Sequence, residues 1–293
     1  MYNLRYHIVS IAAVFLALAL GLVLGGLIGD KALSTTQESL SSGILVKNNQ
    51  LREENTRLAA RNNLLTTFGN DGLAQLAGGR LNGKRVLLIG AQGAASKRAS
   101  QVLQQAGATL VLASIDENRY KADDKNLASA KLIADLKTRY HQTDDLAALA
   151  AGFAAEWSQS ATATAGPATA GAAVRPVTAA LQTDGILKLS GDFTGVATFD
   201  GVVDVALGAK GAPDTFGLQL ARALSQRGTP TIAAQMDGSL STLGVAAVEL
   251  KLSATNLLGT PPGDWTVVAV LSGAPAATYG TLEGANQAYP PVK

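Results

Sequence analysis

The sequence contains no cysteine among its 293 residues. This absence excludes disulfide bonds, thiolate metal sites and cysteine nucleophiles, and it suits an exported protein that avoids stray oxidation. Aromatic residues make up only 5%, and the formal net charge is +2. So small a charge predicts no large basic surface, and therefore no nucleic acid partner.

Other residues that bind metals or transfer protons are also scarce. The chain has two histidines, His7 and His141, and two methionines, Met1 and Met236. His7 lies beside a long apolar run, and His141 falls between two predicted helices, where a surface or capping role is the simplest interpretation. Neither histidine lies close in sequence to a serine that it could activate as a nucleophile. The residues therefore predict no catalytic set and no evident cofactor, and the chain is not expected to be an enzyme.

Paired acidic residues occur at Asp116-Glu117, Asp123-Asp124 and Asp144-Asp145. Adjacent carboxylates can chelate a hard cation, but no glycine-hinged calcium loop surrounds any of these pairs. Solvent-exposed loops and helix capping are the favoured interpretation.

A glycine turn at Gly90-Ala91-Gln92-Gly93 follows a predicted buried strand. It lacks both the dinucleotide fingerprint and the phosphate-loop pattern. Lys97 and Arg98, near the start of the next helix, could meet an anion there. A plain tight turn is the favoured interpretation.

The apolar run Ile8–Ile28 contains Ser10 as its only polar side chain. A helix of this length spans about 30 Å, the thickness of a hydrocarbon core. The run predicts a transmembrane helix over residues 8–29, with a cytoplasmic head formed by residues 1–7. Arg5 before the helix favours this orientation. The alternative is a cleaved signal peptide with small residues at 32–34, but the run exceeds the roughly 7–15 apolar residues of a signal core.

Small residues recur at every fourth position of this predicted helix. They are Ala13, Ala17, Gly21, Gly25 and Gly29. Such a ladder lets two helix backbones approach closely in lipid, so it predicts pairing of two copies. The alternative is that alanine and glycine are simply common in this chain.

Residues 33–67 predict a juxtamembrane coiled coil. One core position of the heptad carries Ile44, Leu51, Leu58 and Leu65, and the other carries Asn48, Asn55 and Asn62. Leucine at d with asparagine at a favours a parallel, in-register homodimer at a cost in stability. Lys47 and Arg52 would oppose each other as like charges, so a solvated helix that spaces the domain from the bilayer stays open.

The remaining chain, residues 83–293, predicts an extracytoplasmic α/β domain, and the glycines in Gly69–Gly83 mark its expected boundary. The predicted strands are Arg85–Ile89, Thr109–Ala113, Gly201–Leu207, Thr231–Ala234 and Trp265–Leu271. The predicted helices are Ala95–Gln105, Leu127–Tyr140, a helix capped by Asp144 or Asp145, and Asp214–Arg227, with a further element of unassigned type at Val245–Leu252. Residues 160–173 form a low-complexity tract that predicts a flexible loop. Alternating strands and helices predict βαβ units and a mostly parallel sheet.

The two ends of the chain carry a family resemblance. The opening Tyr2–Ala19, continuing to Gly21 and Gly25, and the tail from Ala277–Gly280 to Pro290 resemble the actinobacterial copper transport family, which is named for a mycobacterial outer-membrane copper protein. The resemblance implies a role in keeping intracellular copper low. It also implies a link to envelope assembly and cell separation, with a neighbouring membrane protein as partner.

Copper enters as a ligand through this resemblance alone, and no ligand residues are carried over. Copper(I) prefers cysteine and methionine, whereas copper(II) prefers imidazole and mixed nitrogen and oxygen sites. A dimer could pair His7 with its counterpart. An outer-membrane pore would need a closed barrel, whereas the apolar helix predicts a cytoplasmic-membrane anchor. Three hypotheses follow: a component of copper homeostasis, a dimeric scaffold for envelope assembly, or an enzyme on the α/β sheet.

Overall fold

The computed structural model describes residues 4–90, 93–120, 127–158, 175–191, 198–205, 214–239, 242–281, 285 and 287–291, without the side chains of residues 4, 5, 27–43, 68 and 117. The chain divides into two compact units, Met1–Leu65 and Thr66–Lys293. The low-complexity tract at 160–173 and the pair Asp123-Asp124 lie outside the described residues.

The first helix, α1, covers Leu4–Ala77. It contains no proline, and its backbone hydrogen bonds are satisfied within the helix. The helix continues through Gly69 and Gly72, so the predicted boundary at Gly69–Gly83 lies inside the second compact unit. The chain turns after the helix, where Gly79 and Gly83 have φ of 73° and 75°, a conformation that glycine adopts without strain.

The second unit alternates strands and helices after the end of α1. In chain order, its described elements are β1 (Arg85–Ile89), α2 (Ala94–Gln105), β2 (Thr109–Ile115), α3 (Glu117–Tyr120), α4 (Ala130–Tyr140), α5 (Asp145–Trp157), α6 (Pro176–Thr183), β3 (Leu187–Gly191), β4 (Gly201–Asp204), α7 (Thr215–Gln226), β5 (Thr231–Met236), α8 (Leu243–Glu249), β6 (Ser253–Leu258), α9 (Pro261–Leu271) and β7 (Thr278–Tyr279).

The strands form one sheet in the order β3-β2-β1-β4-β5-β6-β7. Every neighbouring pair is parallel except β2 with β3. The chain order reverses at β1, because β2 lies on one side of it and β4 on the other. Leu88 of β1 pairs with Leu112 of β2 and with Val203 of β4. The prediction of a mostly parallel α/β sheet is therefore confirmed.

Both faces of the sheet are covered, and alternate residues of β1 point into two separate cores. Leu87 and Ile89 join a core with residues of α4 to α8, whereas Val86 and Leu88 join a core with residues of α2, α9 and the end of α1. A strand buried on both faces needs an uninterrupted apolar sequence. This explains why Arg85–Ile89 could be recognised from sequence.

Aspartate side chains cap two helices, and the cap of α5 is one of the two alternatives that the sequence predicts. Asp144 Oδ2 accepts a hydrogen bond from the Ala147 N–H at 2.8 Å, and it caps α5. Asp214 Oδ1 accepts from the N–H groups of Phe216 and Gly217, and it caps α7. These bonds satisfy amides that would otherwise lack partners at a helix start.

The prediction of a strand at Trp265–Leu271 is wrong, because this segment belongs to helix α9. Its β-branched residues are buried on every side, so the sequence has no period that separates strand from helix. The helix signal lies before the run. Thr260 caps the helix through a bond from the Gly263 N–H, and Pro261 and Pro262 stand at its first positions.

Smaller differences concern the ends of elements. Helix α4 begins at Ala130 rather than Leu127, and the N–H groups of Ala128 and Ser129, just before it, donate to the carboxylate of Asp184. Strand β4 ends at Asp204, and residues 206 and 207 of its predicted extent lie outside the described residues. The unassigned segment at 245–252 overlaps helix α8.

Candidate functional sites

The apolar start of α1 is the first candidate site. Tyr6–Gly26 is 21 residues long with a mean hydropathy of 2.7, and none of it is buried. Phe15 is 68% exposed and Leu22 is 71% exposed. Among the described residues this is the one helix long and apolar enough to cross a membrane, a test that a signal sequence also passes.

The small-residue ladder lies on this segment. Ala13, Ala17, Gly21 and Gly25 are exposed, and a Cβ added at Gly21 or Gly25 would meet nothing within 4 Å. Gly29 belongs to α1, but its surroundings fall in the part whose side chains are not described. A second helix could therefore approach Gly21 and Gly25 closely without meeting any of the described side chains around them.

The predicted heptad residues form the second candidate, and we call them the seam. Its apolar members are 44% to 64% exposed, and its three asparagines are exposed as well. The seam comprises Ile44, Asn48, Leu51, Asn55, Leu58, Asn62 and Leu65. Within the first compact unit these side chains contribute nothing to a core, so the seam remains available to a partner.

The third candidate lies at the carboxyl edge of the sheet, beside the reversal of strand order. This is the edge at which open α/β sheets generally bind ligands. A cavity of about 280 Å³ opens between the start of α2 and the ends of β4 and β5. Its lining residues are Gly93, Ala94, Ala95, Ser96, Val205, Ala234, Gln235, Met236, Ser239 and Leu243.

Polar side chains at this edge bind the backbone of the surrounding turns. Gln235 is 8% exposed, and its amide bridges two segments. Nε2 donates to the Ser239 carbonyl and Oε1 accepts from the Gly244 N–H, both at 3.1 Å. The Tyr120 hydroxyl donates to the carboxylate of Asp214 at 3.4 Å. The carboxyl group of Asp204, at the end of β4, is fully buried.

The glycine turn at the end of β1 has a packing reason. A Cβ at Gly90 would lie 2.7 Å from Val205 Cγ2 and 3.0 Å from Ser96 Oγ. Real Cβ atoms do not approach other atoms so closely, so only glycine lets β1, β4 and α2 meet here. The tight turn itself stays a prediction. Ala91 and Gln92 lie outside the described residues.

Arg98, which the sequence offered as a possible ligand for an anion, forms an ion pair with Asp264. Its Nε donates to Asp264 Oδ2 at 2.8 Å, and its Nη2 contacts the same oxygen. Asp264 is fully buried and also accepts from the Gly259 N–H at 2.8 Å. Burial raises the pKa of Asp264, and the bonds from Gly259 and Arg98 act against this rise. Lys97 is exposed.

The other acidic residues and His141 have local roles. Asp116 accepts a bond from the Asn118 N–H at 3.0 Å, and Asp145 pairs with Lys137. His141 ends α4 with φ of 52°, and its N–H donates to the Lys137 carbonyl. In the part of the chain that the structure describes, no three His, Asp or Glu residues are grouped so that they could hold a metal ion.

Sequence reasoning missed the residues that line the carboxyl edge. Asp204 ends β4, and Gln235 and Met236 end β5. Polar residues such as Asp204 and Gln235 at the ends of parallel strands are a recognisable signal. A single sequence does not reveal the order of the strands in the sheet. It therefore cannot show that β4 lies between β1 and β5 and that these residues share one edge.

Comparison with known proteins gives one result that covers the chain. No curated protein and no solved structure matches it. A family model described as "Copper transport outer membrane protein, MctB" matches residues 1–290, which is nearly the whole length. The resemblance seen at the two ends is thereby confirmed. The chain belongs to the MctB family, and this membership relates it to copper transport at the cell envelope.

Proposed function

We propose that this chain is a single-pass membrane protein of the cell envelope that acts in copper homeostasis, with its α/β unit outside the cytoplasm. The observation that carries the proposal is the exposed apolar segment Tyr6–Gly26. Moving one large apolar side chain out of water contributes about 1.5–3 kcal/mol, so a segment of this composition favours a bilayer strongly. Family membership supplies the relation to copper.

The fold fits an accessory role in copper homeostasis better than a role as a copper channel. The described residues contain one helix that could cross a membrane, so the proposed dimer would contribute two such helices, which are too few to surround a pore. The described sheet is packed on both faces by helices. We also propose that the chain has no enzymatic activity. The amide of Gln235 and the carboxylate of Asp214 at the carboxyl edge are engaged with backbone groups, which supports a structural use of this edge.

Membrane topology can be tested with single cysteines, because the native chain has none. Asp237 lies in an exposed turn. Asp237→Cys should react with a membrane-impermeant maleimide in intact spheroplasts, whereas Tyr2→Cys should react only after permeabilisation. The reverse pattern would overturn the proposed orientation. Loss of the N-terminal residues from the mature chain would show a cleaved signal instead of an anchor.

The link to copper needs two measurements. Cells that lack the chain should accumulate copper, and the full chain should restore the normal content while a version without residues 6–26 should not. Competition between the purified full chain in detergent and a Cu(I) chelator then decides whether the role is direct. Tight binding would show a copper site on the chain, and no binding would leave an indirect role in copper homeostasis. The matched control carries His7→Ala, His141→Ala and Met236→Leu. Unchanged copper content in cells that lack the chain would contradict a homeostatic role.

The exposed seam favours a second candidate, a parallel dimeric scaffold in envelope assembly and cell separation that binds a neighbouring membrane protein. Leu51→Asp with Leu58→Asp should then abolish dimers in sedimentation and cause permeability or division defects at normal cell copper. Val46→Asp with Ala60→Asp places the same charges on the opposite helix face, where both native residues are exposed. Equal defects in both pairs would contradict a role for the seam.

A further inference from the structure

The heptad phase of the seam continues beyond its last member. After Leu65 the next core positions fall on Gly69, Gly72 and Leu76, all within the same helix α1. Two glycines in succession cannot provide the apolar contacts that leucine provides at d positions. The core positions from Ile44 to Leu76 therefore form one continuous stripe along α1. Its residues change from isoleucine, leucine and asparagine to glycine at Gly69.

The structure shows what occupies this stripe at Gly69. A Cβ added there would lie 2.6 Å from Pro261 Cγ and 2.8 Å from Pro261 Cβ, at the start of α9. One and two turns further, Leu73 and Ala77 are only 5% and 3% exposed, and they belong to the core of the α/β unit. At Gly69 the stripe is therefore an intramolecular interface. Leu73 and Ala77 flank the stripe and face the chain's own core, whereas Leu76, on the stripe, is 37% exposed.

Resting on the dimeric arrangement proposed above, we infer that the stripe changes its partner at Gly69. A second copy of this chain occupies the seam from Ile44 to Leu65, and the chain's own α9 takes over at Gly69. The two contacts are mutually exclusive at this level, because the Pro261 ring fills the space that a facing helix would need. The two-copy interface therefore ends at Leu65.

The residues of the seam favour a second copy of this chain as its binding partner. Asn48, Asn55 and Asn62 would meet their own counterparts at the same levels only in a parallel, in-register pair of identical chains. Lipid is a poor occupant, because it would leave three amide side chains without hydrogen-bond partners. The seam also leads directly to the Gly69–Pro261 contact, so two successive partners meet on the same helix face.

The inference can be tested by crosslinking full chains that carry one cysteine each, using a short bismaleimide in detergent. Leu51→Cys and Leu58→Cys should crosslink several-fold more than Glu53→Cys, which lies on the opposite face. Leu76→Cys occupies a later core position, beyond Gly69 and Gly72, and should crosslink no more than Glu53→Cys. Leu76 is 37% exposed, and labelling with a monofunctional maleimide confirms that each cysteine reacts.

The outcomes separate this inference from the dimer on which it rests. Crosslinking of Leu76→Cys at the level of Leu58→Cys would overturn the change of partner while supporting the dimer. No crosslinking above Glu53→Cys at any position would overturn the dimer itself. In the Leu76→Cys background, Gly69→Ala should raise crosslinking by displacing Pro261, and Gly72→Ala should not. An equal response to the two substitutions would also contradict the inference.

Discussion

The first 65 residues and the α/β unit use the same apolar residue types in opposite environments. Phe15 is 68% exposed and Phe153 is fully buried, and Leu58 is 44% exposed whereas Leu88 is 1% exposed. The helix satisfies its backbone internally and needs no core to form, whereas the short strands of the sheet need one another. The exposed apolar side chains of the first 65 residues do not stabilise a core of their own chain, so we expect them to contact a bilayer or a second copy.

The sharpest test of this comparison removes the same side chain from both regions. Phe153→Ala should destabilise the α/β unit by about 3–5 kcal/mol, because it leaves a cavity in the core. Phe15→Ala should leave that stability unchanged. Unfolding of the full chain in detergent can be followed by tryptophan fluorescence, since Trp157 and Trp265 both lie in the α/β unit. Destabilisation by Phe15→Ala would show that the apolar helix packs on this unit.

Arg98→Met should cost about 3 kcal/mol near neutral pH, because it leaves the buried carboxylate of Asp264 without its cation. The control is Arg139→Met, which breaks an exposed pair with Asp135 and should cost less than about 1 kcal/mol. Both are measured by the same fluorescence.

The effect of Arg98→Met should depend on pH. Burial already raises the pKa of Asp264, and loss of Arg98 removes one influence that lowers it. The folded variant then holds the proton more tightly than the unfolded chain. Its deficit should be smallest below the ordinary aspartate pKa and should grow as pH rises through the raised pKa of Asp264. A deficit that is constant with pH would contradict this account.

The two glycines near the end of α1 should respond in opposite directions. Gly72→Ala meets nothing within 4 Å and should stabilise the helix by up to about 1 kcal/mol. Gly69→Ala gains the same propensity but collides with Pro261, and overpacking of this kind costs about 1–3 kcal/mol. Chemical unfolding of the full chain measures both. Stabilisation by both substitutions would show that α1 moves freely away from Pro261.

The smallest effect on the α/β unit is expected from Leu58→Ala. The side chain is exposed in the single chain, so the stability reported by the two tryptophans should change by less than about 0.5 kcal/mol. The dimer fraction measured by sedimentation should nevertheless fall. Val46→Ala, on the opposite face, should change neither quantity. A large loss of α/β stability in Leu58→Ala would mean that the seam packs against the chain's own unit.

Several elements were predictable because their signals are local. The apolar composition and length of Tyr6–Gly26, the buried strand Arg85–Ile89 and the aspartate cap of α5 each depend on neighbouring residues. The failure at Trp265–Leu271 has an equally physical cause. A segment buried on all sides has no polar face, so β-branched residues in a buried helix read as a strand.

The sequence by itself determined the apolar helix, the α/β class, the cap of α5 and the family, because these follow from composition, period and residues close together in the chain. Only the tertiary structure decided the rest. It placed β4 beside β1, brought Arg98 to Asp264 across more than half of the chain, and set Pro261 against Gly69. Each of these depends on which distant segments share one core, and a short stretch of sequence carries no information about that choice.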